Sequence, residues 1–261
     1  MPRLAANLGL LFTEHPPLAR FSAAAAAGFT AVEMQFPYAE PASALRAELD
    51  RHGLTMLGIN TATGKPGEFG LGAVPGREKD FAAAFRQALD CIVEMGGSAI
   101  HCMAGVVAPE QQQDATRTFV ANLEAAAPLA AAKNITLLIE PINLRDRPNY
   151  FLTRAGQAAD IIDRVGAPNV KMQFDFYHLQ IAEGDLIRRF EKFLPWVGHV
   201  QIAAVPSRAE PDEGELNYPA ILAAVDQLGY TGWVAGEYKP RGRTEEGLAW
   251  ARPYGVEPRN I

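Results

Sequence analysis

Four polar residues interrupt apolar, strand-like runs in the second half of the chain: Glu140 in TLLIEPIN, Asp175 in VKMQFDFYH, Gln201 in GHVQIAAV and Glu237 in GWVAGEYKP. Burying one unpaired carboxylate is costly, and burying three apart from one another is worse. Convergence on one hard cation resolves that cost, because carboxylate and amide oxygens are the donors that Mg²⁺ and Mn²⁺ prefer. The competing explanation for any one carboxylate is pairing with a nearby Arg or Lys. Four equivalent positions on successive strands favour the shared ion. The chemistry open to such a set is that of a metal-dependent enzyme.

The elements that must position these residues alternate along the chain. Strand-like runs fall at Leu4–Phe12, Ala31–Phe36, Thr55–Thr61, Ala99–Ala104, Thr136–Ile142, Val170–Phe176, Val197–Val205 and Gly232–Lys239. Helix-forming segments lie between them, at Leu18–Ala27, Pro41–His52, Glu78–Met95, Glu110–Lys133, Arg154–Val165, Gly184–Phe193, Tyr218–Leu228 and Glu245–Tyr254. Several stop at glycine, including Gly53 and the pair Gly96–Gly97, where a left-handed cap is free of Cβ strain. Strands joined by helices pair in parallel, and eight such units match the size and count of a (β/α)₈ TIM barrel in a single domain spanning residues 1–261. A doubly wound open sheet would carry a GxGxxG turn after its first strand, whereas here the strand runs into TEHPP. In a barrel the C-terminal strand ends face the active site, which is where Glu140, Asp175, Gln201 and Glu237 fall.

Thr61–Arg77 (TATGKPGEFGLGAVPGR) breaks the rhythm, being rich in glycine and carrying two prolines. A loop of this length after the third strand lies over the C-terminal face and suits a lid that excludes water, or a merely flexible connection.

Composition narrows the function classes. The chain has 261 residues, 48% hydrophobic and 21% charged, enough to bury a large core. A net charge of −6 argues against nucleic-acid binding, which needs a basic face. Cys91 and Cys102 are too few for a disulfide framework or a thiolate zinc site, and both are expected to be reduced. No apolar stretch approaches the ~18 residues of a membrane span. A cytoplasmic protein is expected. A homo-oligomer is compatible with the sequence, which fixes no oligomeric state.

The runs LIEPIN, DFYH, HVQIA and GEYKP resemble the hydroxypyruvate isomerase family, a branch of the xylose-isomerase-like barrels that also contains ketose 3-epimerases. The likeness spans the whole chain. It implies that Glu140, Asp175, Gln201 and Glu237 bind one divalent cation, and that Glu140 and Glu237 double as the acid–base pair. Glutamine at position 201 is similar to the hydroxypyruvate isomerase branch, where the ketose epimerases typically carry histidine. The implied reaction interconverts hydroxypyruvate and tartronate semialdehyde through an enediolate. A four-carbon acid, 2-oxo-tetronate, or a ketose 3-epimerisation would use the same site.

Further positions are candidates for substrate contacts. His178, three residues after Asp175, matches a family histidine set against substrate oxygens. Arg208 could clamp a carboxylate or hydroxyl, and His101 could line the pocket. Lys65 and Arg77 in the loop, and Lys239 after Glu237, are further anion contacts. Glu183 could support His178 or sit at a helix N-terminus. Glu33 and Gln35 face either the pocket or the helices, and His15, His52 and His199 are expected to be structural. Of the aromatic residues near the proposed ligands, one or two should shape the pocket and the rest pack. Two other classes are weaker: a metal-dependent hydrolase or endonuclease needs more histidine ligands than five residues allow, and a non-catalytic sugar-acid-binding barrel would not require two glutamates beside an anion.

Overall fold

The computed structural model describes residues 1–259, and every strand pairing in it is parallel. The strands are β1 (Arg3–Asn7), β2 (Ala31–Glu33), β3 (Thr55–Met56), β4 (Gly58–Asn60), β5 (Ala99–His101), β6 (Thr136–Ile139), β7 (Val170–Asp175), β8 (Val197–Ile202) and β9 (Trp233–Gly236). Their order, β3-β2-β1-β9-β8-β7-β6-β5-β4, runs once around a cylinder. The expected third strand is divided at Leu57: β3 pairs with β2, and β4 pairs with β5. Leu57 bridges the two, its N–H donating to Val32 at 2.8 Å and its carbonyl accepting from Ser98 at 3.3 Å. The nine segments therefore make eight staves of a nearly closed TIM barrel.

The helices α1 (Ala19–Ala26), α2 (Ala42–His52), α3 (Glu78–Met95), α4 (Gln112–Ala131), α5 (Ala155–Val165), α6 (Phe176–Ala182), α7 (Leu186–Phe193) and α8 (Tyr218–Gln227) surround it, with a 3₁₀ helix at Thr244–Tyr254. Gly53, Gly96 and Gly166 end α2, α3 and α5 in the left-handed conformation. The main apolar core lies between cylinder and helices, where Val32, Ile100, Leu137, Phe174 and Val200 are fully buried.

Alternation along each strand sends every second side chain into the barrel. On one side these are small and apolar: Ala5, Ala31, Leu57 and Ala235 cluster there, beside Trp233. On the other side they are polar, Gln173 and Asp175 from β7 and His199 and Gln201 from β8, all buried. Barrel interiors are usually filled by branched apolar side chains. This one holds a polar seam leading up to the mouth.

Two local features depart from expectation. The first strand ends at Asn7, whose carbonyl accepts from the N–H groups of Leu10 and Leu11 and turns the chain. The helix expected at Gly184–Phe193 is preceded by α6, which starts directly on the last residue of β7. Asp175 is its N-cap, with Oδ1 accepting from the Tyr177 N–H at 2.8 Å.

Candidate active site

Capping α6 occupies only one oxygen of Asp175. Its Oδ2 is buried without a hydrogen-bond partner among the described residues, as is Oε1 of Glu140 at the end of β6. Glu140, Asp175, His178 and Glu237 each offer a ligand atom, and these atoms all lie within 4.8 Å of one another. Burial, with Glu237 and Asp175 adding like charge, pushes the Glu140 carboxyl well above the usual range. Asp175 is raised by burial and then by Glu237 to about 7. Burial raises Glu237 as well, against the opposing charge of Arg208. Crowded buried carboxylates with free oxygens fit a divalent cation, which would supply the missing charge and partner at once.

The second glutamate is held differently from the first. Arg208 Nη2 donates to Glu237 Oε2 at 2.5 Å, while Gln35 and Asn7 donate to Oε1 at 2.7 and 3.2 Å. Among the described residues Glu140 has no such donor, and the Nδ1 of His101 stands 3.5 Å from its Oε2. Burial holds His101 down to about 3, so its imidazole is neutral, and both ring nitrogens lack partners. Arg208 has a φ of +56°, an uncommon conformation for a residue with a side chain. Its backbone is fixed by hydrogen bonds to the Ala204 carbonyl and from the Lys239 N–H, both at 2.8 Å. Strain of this kind concentrates at functional sites.

His178 lies on α6, with Nε2 3.7 Å from Asp175 Oδ2. The amide of Asn143 fixes its tautomer. Asn143 Oδ1 accepts from the Asp146 N–H at 2.8 Å, so its nitrogen is the atom 2.7 Å from His178 Nδ1. Nδ1 is then the acceptor and the proton sits on Nε2. Burial first, and then Arg208, keeps this ring neutral. An Nε2–H faces the mouth as a donor, which suits a substrate oxygen better than a metal.

Beneath the mouth, Glu33 and Gln35 both face inward. Glu33 Oε2 lies 2.6 Å from His199 Nε2, and its Oε1 accepts from Gln201 at 2.6 Å and Asn7 at 2.7 Å. Burial alone would raise Glu33, but the charge and hydrogen bond of His199, with those of Gln201 and Asn7, leave it below its ordinary value. Gln201 Oε1 accepts from Gln173 Nε2 at 2.7 Å, which leaves a second lone pair on that oxygen. A cavity of 150 Å³ lined by Asn7, Glu33, Gln173, His199 and Gln201 lies along this seam. His199 is thus part of the support beneath the mouth. Its period-two spacing from Gln201, and that of Gln173 from Asp175, were the available signals.

The mouth is a cavity of 420 Å³ lined by Glu140, His101, His178, Arg208, Glu237 and Lys239, among others. Of the aromatics, Phe36, Phe69 and Tyr177 reach it, while Phe174 and Phe176 pack against Phe190. The loop at 61–77 is tied down: the Gly72 and Ala73 N–H groups donate to Met103 and Ala104, and Val106 donates to Glu68. Its Thr63 and Phe69 line the mouth, whereas Lys65 is exposed outside that lining. Arg77 is paired with Glu68 and Asp80. Glu183 does not support His178; it accepts from the Ala155 N–H at the start of α5 at 2.9 Å and pairs with Arg189. Arg147, which the motifs did not single out, also lines the mouth.

A buried carboxylate cluster at the C-terminal mouth of a parallel eight-stave barrel lies where barrel enzymes carry their active sites. Comparison with known proteins places the chain among them. Residues 21–254 match the family described as xylose isomerase-like TIM barrel. The chain is 49% identical over 257 residues to the 2-oxo-tetronate isomerase of Cupriavidus necator, covering 97% of this chain and 99% of that one. It is 39% identical to the hydroxypyruvate isomerase of Escherichia coli K12, covering 97% and 100%. A crystal structure from Brucella melitensis titled AP endonuclease, family 2, superposes with a TM-score of 0.96 at 44% identity, covering 98% and 100%. The chain belongs to the xylose isomerase-like TIM barrel family and, within it, to the hydroxypyruvate isomerase family. It is an isomerase.

Proposed function

We propose that this isomerase acts on a small hydroxy-oxo acid, moving a proton between adjacent carbons with the help of one divalent cation, Mg²⁺ or Mn²⁺. The observation that carries the reading is the set of three buried carboxylates within reach of one point, two of them with an unpartnered oxygen. Glu140, Asp175 and Glu237 would hold the ion together with the free lone pair of Gln201 Oε1. When bound, such an ion polarises the substrate carbonyl and adjacent hydroxyl and offsets the charge that develops on both oxygens.

The chain's own groups do the rest. Glu140 and Glu237 enter the mouth from different strands. One takes the proton from C3 and the other returns a proton to C2, while the C3 hydroxyl proton passes to the C2 oxygen, with roles exchanged in the reverse direction. Arg208 and Gln35 orient Glu237. The Nε2–H of His178 donates to a substrate oxygen as charge builds there. Arg208 Nε, buried without a partner, is a second donor for a substrate oxygen. His101 walls the pocket beside Glu140 without adding charge.

The proton transfer is the same for hydroxypyruvate, which gives tartronate semialdehyde, and for 2-oxo-tetronate, which gives the 3-oxo acid. They differ only by a terminal hydroxymethyl group, for which a 420 Å³ mouth has room. The relative named for 2-oxo-tetronate is 49% identical and the one named for hydroxypyruvate in Escherichia coli 39%. Two further relatives named putative hydroxypyruvate isomerase are 44% identical and two named 2-oxo-tetronate isomerase 43% and 42%, so identity leaves both acids as substrates, with hydroxypyruvate the one to which the motifs pointed first. A ketose 3-epimerase is disfavoured by Gln201. Turnover of both acids, measured before and after chelation and after adding back each metal, tests the reading. Equal rates in chelator, or turnover of neutral ketoses alone, would overturn it.

A further inference from the structure

Three cations line the mouth, Arg147, Arg208 and Lys239, and they are not equivalent. Arg208 is committed, 2.5 Å from Glu237 and 3.7 Å from Asp146. A substrate carboxylate that drew it away would leave Glu237 buried without its counter-charge. Lys239 is exposed on the segment after β9. Arg147 is half-buried and makes no ion pair among the described residues. Its guanidinium carbon stands 4.2 Å from the centroid of the Phe69 ring, and one of its N–H groups donates to the Asp146 carbonyl at 2.9 Å. A guanidinium has five N–H donors in a fixed fork, so most of this one is free to recognise an anion.

Its seat is built from a distant part of the chain. Phe69 has a φ of +51°, in the left-handed region. The next residue, Gly70, has a φ of +125°, and a Cβ there would fall 2.5 Å from the Met103 carbonyl oxygen. The glycine lets the loop press against the segment after β5, and that contact places the Phe69 ring beneath the guanidinium. An aromatic platform restricts the side chain and lowers the entropy lost when a ligand is clamped.

Charge points the same way. Four carboxylates, Glu140, Asp146, Asp175 and Glu237, stand against these three cations, so a bound dication would make the mouth net positive. A neutral sugar gains nothing from that surplus, whereas an anion does.

We infer that Arg147, seated on Phe69, binds the carboxylate of the substrate and sets the preference for sugar acids over neutral ketoses. The inference rests on the function proposed above. The planar fork of arginine matches a carboxylate in a way that a lysine ammonium cannot.

The test uses the metal-loaded, full-length protein with Arg147→Met, Arg147→Lys and Phe69→Leu. Each is assayed on hydroxypyruvate and 2-oxo-tetronate and on their neutral counterparts, dihydroxyacetone and erythrulose. Tartronate binding, measured by calorimetry, gives a readout that needs no turnover. In Arg147→Met the acid-to-neutral ratio of kcat/KM should fall about 10- to 100-fold, as expected for loss of a charge-assisted pair, mainly through KM. The Kd for tartronate should rise by a similar factor. Arg147→Lys should recover part of the loss, and Phe69→Leu should show a smaller loss of the same kind. An unchanged tartronate Kd, or an equal loss on acids and neutral ketoses, overturns the assignment. If the unaltered enzyme turns over neither acid, the proposed function fails, while the tartronate comparison still decides the role of Arg147. Should Arg147→Met not fold, Arg147→Lys and Phe69→Leu decide by the same ratio.

Discussion

Arg208 stands 2.5 Å from Glu237 and makes the two glutamates of the mouth unequal. Glu237 has a cation and two amide donors, while one oxygen of Glu140 has no hydrogen-bond partner among the described residues. Both Glu140→Gln and Glu237→Gln should lower kcat by about 10²- to 10⁴-fold, the usual scale of a lost acid–base group. Their effects on stability should differ in sign. Without metal, Glu140→Gln removes a carboxyl that burial and neighbouring charge keep from ionising as it does in the unfolded chain, so at neutral pH it should raise Tm, by about 2–4 °C for each kcal/mol relieved. Glu237→Gln leaves Arg208 without its main partner and should not raise it. Thermal melts in chelator, beside steady-state rates, check both halves.

The tautomer of His178 depends on Asn143. Asn143→Asp would place an acceptor against Nδ1, move the proton to that nitrogen and turn Nε2 into an acceptor. A loss of about 10- to 100-fold in kcat/KM is expected with the fold intact, as for outer partners that orient a functional histidine. Nitrogen chemical shifts of the His178 ring would report the tautomer directly. An unchanged shift would remove Asn143 from this role.

The cluster should also make stability depend on pH in an unusual direction. Asp175 is raised by burial and by Glu237 to about 7, so the metal-free folded state keeps a proton that the unfolded chain releases near pH 4. A folded state that binds more protons than the unfolded one loses stability as pH rises. Metal-free protein should therefore weaken between about pH 4 and 7 on this account. Metal competes with those protons, so the rise in Tm on adding Mg²⁺ or Mn²⁺ should be larger at pH 8 than at pH 5.5. Paired melts at the two pH values test the sign.

The pair Glu33–His199 supports the floor of the site at 2.6 Å. Glu33→Ala would leave His199, the Gln201 amide and Asn7 without their shared acceptor. Removing one partner of a buried pair costs about 3–5 kcal/mol. Denaturant unfolding should show a loss on that scale, together with weaker metal binding, because Gln201 loses the bond that orients it. A change within about 0.5 kcal/mol, the range of an ordinary surface substitution, would mean that the network is dispensable.

Much of this molecule is written in local pattern. Apolar runs alternating with helical segments specified a parallel barrel, because helix crossovers leave consecutive strands no other pairing. The positions of Glu140, Asp175 and Glu237 at strand ends identified the carboxylates of the mouth, since polar atoms inside apolar strands need a reason to be buried. Sequence could not show that Leu57 divides one stave to close the cylinder, or that Asp175 caps a helix with one oxygen and frees the other. Nor could it assign Glu33 and His199 to one another, 166 positions apart, or set Phe69 under Arg147. Those relationships depend on the angle at which each stave meets its neighbours and on where a pinned loop comes to rest. Such geometry is set by packing across the whole barrel, so no stretch of residues encodes it alone.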